Sequence, residues 1–232
     1  MQRREAVSVI LAGLTSPFII AADLPASDGI AQPDFAGIER QVSGRLGVCV
    51  TDLASHRSIG YRAGERFPMC STFKLLLAGQ ILSMIDSRRE QLSRVLPYTK
   101  TDLLDYAPVT RAHVGEGGMT VSALLAAALQ YSDNTAANLL LRVAGGPPAV
   151  TSYVRDLGDG VTRLDRAEPD LNTAVPGDAR DTTTPNAMAD NLQALLVGNA
   201  LTPKSRDLLN TWLLGNTTGV GKLRAGLPKD WR

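Results

Sequence analysis

Between residues 71 and 86 apolar side chains fall on nearly every face of a helix: Leu75, Leu76, Leu77, Ile81, Leu82 and Ile85. A helix that is apolar all round belongs at the centre of a domain. Before it, Ile38, Val42 and their neighbours recur at helical spacing over residues 30–44, and Gly44 ends the run. Residues 46–50 form a short apolar strand, a turn-rich stretch covers 52–57, and a second strand lies near 58–62. A helix ahead of a hairpin suggests that the helix covers a sheet. Residues 64–69 read as loop, with Pro68 on the approach to the central helix.

Beyond residue 86 the pattern turns helical. Residues 103–108 read as short helix and loop, and Gly115-Glu116-Gly117-Gly118 as a turn. Thr120 caps an alanine- and leucine-rich helix running to about residue 131. Further helices are expected over 134–143, from Pro147-Pro148 to 157, from Thr184-Pro185 to 197, and from Thr202-Pro203 to about 214. Residues 160–184 lack periodicity and are crowded with Asp, Arg, Pro and Thr. An irregular loop of that length inside a compact domain is usually functional or disordered. No internal repeat or low-complexity tract interrupts the chain.

Composition narrows the classes. At 232 residues, 44% hydrophobic and a net charge of +1, the chain can bury a sizeable core and carries no electrostatic footprint for nucleic acid or an anionic membrane. Its two histidines, His56 and His113, have no motif around them and read as surface residues. With only Cys49 and Cys70 besides, no group has zinc-ligand spacing, so no metal and no cofactor are expected. The first 22 residues read as a signal peptide: a basic start at Arg3-Arg4, an apolar run over 6–22, and Ala22 before the cleavage point. The paired arginines fit twin-arginine export. Removing this segment takes out Arg3, Arg4 and Glu5 and leaves 22 basic and 22 acidic residues. The expected location is periplasmic or secreted, where a disulfide is permitted. Whether Cys49 and Cys70 face each other is open at this level.

The candidate chemistry starts at Ser71-Thr72-Phe73-Lys74. Residues three apart share a helix face, so Lys74 can meet Ser71 and take its proton if the amine is desolvated. At a helix start the Ser71 N–H would also face a developing oxyanion. The same spacing arises from a capping serine followed by a surface lysine. Two further groups stand downstream. Ser132-Asp133-Asn134, between two helices, can project a hydroxyl and an amide into a cleft, or can be a plain helix stop and cap. Glu168 and Asn172, a carboxylate and an amide four apart in the long loop, can together fix one water, or can be solvated loop residues.

In order and spacing the chain resembles the class A serine β-lactamases from about residue 31 to Trp231. The resemblance rests on FPMCSTFK around Ser71, Tyr106 before a proline, GMTV before the helix at 121, YSDNTAANLLL from Tyr131, EPDLN from Glu168, RDTTTP from Arg180, and TTG from Thr217. It implies an α/β (α+β) fold of the β-lactamase/transpeptidase kind, with an all-helical domain and an antiparallel sheet backed by helices. On this chain residues 30–64 would open the α/β domain, 65–215 would form the mainly helical domain, and 216–232 would begin the return. The implied reaction is hydrolysis of a β-lactam amide bond. Ser71 would be the nucleophile and Lys74 its activator, with either Lys74 or Glu168 acting through a water to take the proton. Ser132 would protonate the leaving nitrogen, and Asn134 would bind the substrate's acylamide. Glu168, with Asn172, would activate the deacylating water, and Tyr106 would wall the cleft. Arg166 and Asp181 would clamp the ends of the long loop, and Asp133 would be structural. Penicillin-binding peptidases share the first two motifs without this loop, so Glu168 points to hydrolysis. The implied partner is a small-molecule β-lactam acting on a monomer, with neither nucleic acid nor, after signal cleavage, membrane.

Two features depart from the pattern. The family's third motif, Lys-(Thr/Ser)-Gly, follows a tryptophan placed like Trp231, and the sequence stops at Arg232. The expectation is that the natural protein continues through three more strands and a terminal helix. The alternative is a truncated, inactive product, since losing one oxyanion donor costs about 100–1,000-fold in rate. Cys70 occupies a position where some extended-spectrum and carbapenem-hydrolysing members carry cysteine, paired in the latter with a cysteine beyond the third motif. Lys222 lies where some members have an arginine that binds the substrate carboxylate.

Overall fold

A computed structural model of the protein describes residues 33–228. The signal peptide, residues 30–32 of the first expected helix, and Trp231 lie outside the described residues. The expected central helix is α2, Phe73–Asp86. Phe73, Leu76, Leu77, Ile81 and Leu82 along it are at most 1% exposed. It is enclosed by α3 (Val121–Gln130), α4 (Asn134–Ala144), α5 (Pro147–Asp156) and α7 (Pro203–Leu214), which is why its apolar residues need no polar face. Leu124, Leu125, Leu140 and Leu209 complete this core. Gly79 of α2 sits where a Cβ would lie 2.7 Å from Leu195 Cδ2, so a side chain there would force apart α2 and the helix that carries Leu195.

Three helix starts follow the threonines read from the sequence, and Asp133 caps a fourth. Thr120 and Asp133 accept from the backbone N–H groups of Ala123 and Ala136, and Thr184 and Thr202 from those of Ala187 and Ser205. Each such cap contributes about 1 kcal/mol. Gly145, with φ of 94°, ends α4 in the left-handed conformation that glycine adopts without steric cost.

The hairpin is β1 (Val48–Asp52) against β2 (Arg57–Tyr61), antiparallel, with Val50 opposite Ile59. Helix α1, Phe35–Gln41, joins it through Glu39, which accepts from the Leu46 N–H, the Tyr61 hydroxyl and the Arg62 guanidinium. Arg62, with the Leu46 N–H, holds the Glu39 carboxyl down at about 2. On the other side β1 meets α6, Pro185–Leu196. Two shorter pairs matter for position. β3 (Phe67–Pro68) pairs with β6 (Thr182–Thr183), tying the approach to α2 to the far end of the long loop. β4 (Val95–Leu96) pairs with β5 (Met119–Thr120) and closes the loop between them.

Several expectations need adjusting. The first helix ends at Gln41, not Gly44, because Val42 is already extended. Residues 103–108 hold no helix; a 3-10 turn lies just before them at Lys100–Asp102, closed by reciprocal bonds between Thr99 and Asp102. The long loop is not wholly irregular, since it contains a 3-10 turn at Asp170–Asn172 and ends in β6. Ser71 lies in a 3-10 turn, Cys70–Thr72, and the α-helix proper begins two residues later. Cys49 and Cys70 are free thiols, so they form no bridge with each other. His56 is exposed and His113 partly exposed beside Glu116, as expected of surface residues.

Asp133 is the buried anchor of the corner between α3 and α4. It is fully buried and accepts from the N–H groups of Val109, Thr110 and Ala136 and from the Thr110 hydroxyl. Replacing it leaves these buried donors without an acceptor. Asp133→Ala should therefore cost roughly 3–5 kcal/mol, lowering the melting temperature by roughly 6–20 °C in a domain of this size. Thermal unfolding followed by circular dichroism checks this, and an unchanged midpoint would refute it.

Candidate active site

The 3-10 turn that carries Ser71 is held from both sides. The Met69 N–H donates to the Asp181 carbonyl at 2.9 Å, and the Thr72 hydroxyl donates back to the Met69 carbonyl at 2.7 Å. Cys70 takes a left-handed φ of 44°, which turns the exposed Ser71 toward the first turn of α2. Lys74, on that turn, places Nζ 3.2 Å from Ser71 Oγ. The Ser-x-x-Lys spacing thus brings the two side chains together, although Ser71 precedes the α-helix.

Lys74 is only 3% exposed, and oxygens surround its amine. Nζ lies 2.7 Å from the Ser132 carbonyl, 3.0 Å from Ser132 Oγ, 2.6 Å from Asn134 Oδ1 and 3.2 Å from Glu168 Oε1. Burial pushes the Lys74 ammonium below the usual lysine range, and the Glu168 charge partly opposes it. Ser132 reaches this amine because its backbone is left-handed, with φ of 59°. A non-glycine residue in that region costs roughly 1–3 kcal/mol and persists only where its surroundings fix it. Its hydroxyl also donates to Ser71 Oγ at 2.8 Å. Asn134 stands next along, its N–H donating to the Tyr106 carbonyl at 3.1 Å. Tyr106 itself is 52% exposed.

Glu168 comes from the long loop yet is 4% exposed. Its Oε2 accepts from Asn172 Nδ2 at 2.6 Å. Its Oε1 faces Lys74 as an ion pair but off the line of a hydrogen bond, which leaves that buried oxygen without an aligned donor. The loop is fixed at its neck by Arg166 Nε to Asp181 Oδ2 at 2.6 Å, and the fully buried Asp181 also accepts from the N–H groups of Asp165 and Arg166. The expected pairing of Arg166 with Asp181 is thus present.

Asn138 was not singled out in the sequence, yet it grips Glu168 by both backbone groups. Its Nδ2 donates to the Glu168 carbonyl at 2.9 Å, and its Oδ1 accepts from the Glu168 N–H at 3.0 Å. The available signal was its spacing, four residues after Asn134 on the same face of α4. Lys222 stands apart. It is exposed, and among the described residues no hydrogen bond or ion pair joins its side chain to this network.

Chemically, the cluster joins an exposed hydroxyl, an amine of lowered proton affinity, a second hydroxyl between them, and a buried carboxylate beside an amide. The first three can move a proton to and from a reacting oxygen or nitrogen. The last pair can hold and deprotonate one water. Because the Lys74 pKa is lower in the folded chain than in the unfolded one, the folded state binds fewer protons between those two values. Its contribution to stability therefore rises with pH across that window. Glu168→Gln removes the charge that holds the Lys74 pKa up. The Lys74 titration, followed by NMR of labelled lysine, should move to lower pH in that variant, and a shift upward would contradict the pairing.

Residues 31–232 match the family model described as "Beta-lactamase enzyme family". Beta-lactamase L2 of Stenotrophomonas maltophilia is 52% identical over 213 residues, covering 91% of this chain and 70% of that protein. Beta-lactamase Toho-1 of Escherichia coli is 48% identical over 225 residues, covering 97% of this chain and 77% of the relative. Among solved structures, an ancestral class A β-lactamase (GNCA) aligns with a TM-score of 0.84 at 58% identity, over 85% of this chain and 76% of that one. A class A β-lactamase, PenP from Rhodopseudomonas palustris, aligns with a TM-score of 0.82 at 55% identity, over 84% and 74%.

Proposed function

The chain belongs to the class A serine β-lactamases, enzymes that hydrolyse the β-lactam amide bond, and from that premise we propose the residues that carry each step. Ser71 Oγ attacks the lactam carbonyl carbon. Lys74, paired with Glu168 in the resting site, first gives a proton to that carboxylate across 3.2 Å, and its amine then takes the Ser71 proton, also across 3.2 Å; the lowered Lys74 pKa supports this role. As the C–N bond breaks, the leaving nitrogen takes a proton from Ser132 Oγ, which Lys74 then replenishes across 3.0 Å. Asn134 presents its amide to the substrate's acylamide chain beside the exposed Tyr106 ring. In the second half Glu168, its proton returned to Lys74, deprotonates a water held with Asn172; the water attacks the Ser71 ester carbonyl, the acyl C–O bond breaks, and Lys74 gives a proton to the departing Ser71 Oγ and takes one back from Glu168. Lys222 takes no step in this scheme.

One observation carries the reading: Glu168 is buried, bonded to Asn172 at 2.6 Å, and set 3.2 Å from Lys74 with one oxygen left without an aligned donor. Beyond its pairing with Lys74, that carboxylate with Asn172 forms a place for a water beside Ser71, which hydrolysis of the acyl-serine requires. The residues of the site all come from the mainly helical part, residues 65–215. We also infer that the enzyme acts as a monomer on small-molecule β-lactams in the periplasm or outside the cell, exported by residues 1–22. The export is supported by the charged and apolar order of that segment. Among the described residues no helix is long and apolar enough to cross a membrane.

Glu168→Ala should acylate and then stall. Intact-mass spectrometry after mixing with a penicillin should show a persistent adduct of the mass of the intact drug. Turnover should fall by at least about 100-fold, the usual scale for loss of a general base. Ser71→Ala should give no adduct. Rapid turnover by Glu168→Ala, or an adduct on Ser71→Ala, would overturn the assignment.

A further inference from the structure

After α7 the chain doubles back across the C-terminal end of α3. Asn216 Nδ2 donates to the Leu129 carbonyl at 2.8 Å. Thr217 donates twice to the Gln130 carbonyl, from its N–H and from its hydroxyl, each at 2.9 Å. These are among the last carbonyls of α3, which no intrahelical donor can reach. The approach is close: a Cβ on Gly215 would lie 2.4 Å from the Gln130 side chain. Asn216 is itself braced, its Oδ1 accepting from the Gly219 N–H at 2.9 Å and from the Thr218 hydroxyl at 3.2 Å. Its carbonyl accepts from Arg224 at 3.0 Å.

Two residues beyond Gln130 stands Ser132, in its left-handed backbone, with Oγ on Ser71 and Lys74. The N–H groups on either side of it, those of Tyr131 and Asp133, both donate to the Ala127 carbonyl at 3.2 Å. The corner is thus hung on the last turn of α3, and that turn is held in place from outside by residues 216 and 217. We propose that Asn216 and Thr217 are positioning residues for Ser132: they fix the end of α3, and so the place of the Ser132 hydroxyl between Ser71, Lys74 and the leaving nitrogen. The proposal rests on the reading of Ser132 as the donor to that nitrogen. Glu168 and Asn172 are held by Asn138 and the loop neck instead, so the effect falls on acylation and spares deacylation.

The test is rapid-quench mass spectrometry with a penicillin, which reads formation and decay of the covalent adduct as separate rate constants. Asn216→Ala and Thr217→Val should each slow adduct formation about two- to twelvefold, the kinetic worth of one intramolecular hydrogen bond. Both should leave the decay rate within about twofold, since Glu168 and Asn172 are held by Asn138 and the loop neck and not by residues 216 and 217. Decay is read only on molecules that carry the adduct, so a variant that folds incompletely does not distort it. Formation and decay slowed in parallel, or formation unchanged in both variants, would overturn the proposal. Ser132→Ala is the control. If it slows adduct formation while the other two do not, the positioning role alone falls. If it forms adduct at the native rate, the assignment of Ser132 falls and the positioning role with it.

Discussion

A buried amine governs this structure. Lys74 lies within the first turn of the central helix α2, 3% exposed, where an unpaired ammonium would cost several kcal/mol. What makes it tolerable is convergence. Ser71 comes from its own turn, Ser132 and Asn134 from the corner between α3 and α4, and Glu168 from the long loop. No two of these segments are neighbours in sequence except the first pair. The stability of the lysine and the assembly of the site are therefore one problem with one solution. Two of the oxygens that make its burial tolerable, Ser71 Oγ and Ser132 Oγ, are also those whose protons it moves in the proposed reaction.

Strain is accepted at the site as well. Among the described residues seven non-glycine residues take positive φ, and three of them, Cys70, Ser132 and Asp181, lie in or beside the site or its clamp. Such conformations persist where surroundings over-determine them. Around Ser132 those surroundings are Asp133, which is fully buried and accepts bonds from Val109, Thr110 and Ala136, and the strap at residues 216 and 217. Around Asp181 they are the Arg166 guanidinium and the β3–β6 pair. The rigid frame is dense where the reacting groups need fixed aim.

The long loop shows how a segment without hydrophobic period can still be ordered. Its neck is an ion pair with backbone support, its middle is held by Asn138, and its buried carboxylate is held by Asn172. Polar bonds do for it what apolar stripes do for the helices. Leu164 and Leu171, both nearly fully buried, add the anchors in the core.

Much of this was legible in the sequence. Apolar periodicity located every long helix to within a few residues, because a helix buried on one or more faces must repeat its apolar side chains at helical spacing. Threonine marked three of the helix starts, at residues 120, 184 and 202, because its hydroxyl supplies the missing acceptor. The Ser-x-x-Lys spacing brought Ser71 to Lys74 because that contact is local, three residues along one chain. Residues that act across long separations were harder. Asn138 and Asn216 look like ordinary polar residues on or after a helix, and nothing in their neighbourhood says that one will clasp Glu168 and the other the end of α3. The 3-10 turn at Ser71, the left-handed turn at Ser132 and the lowered proton affinity of Lys74 likewise belong to no short stretch. Sequence determined which groups were available and on which elements they stood. Only tertiary structure decided which of them share a buried space, because burial and long-range hydrogen bonds arise when distant segments meet.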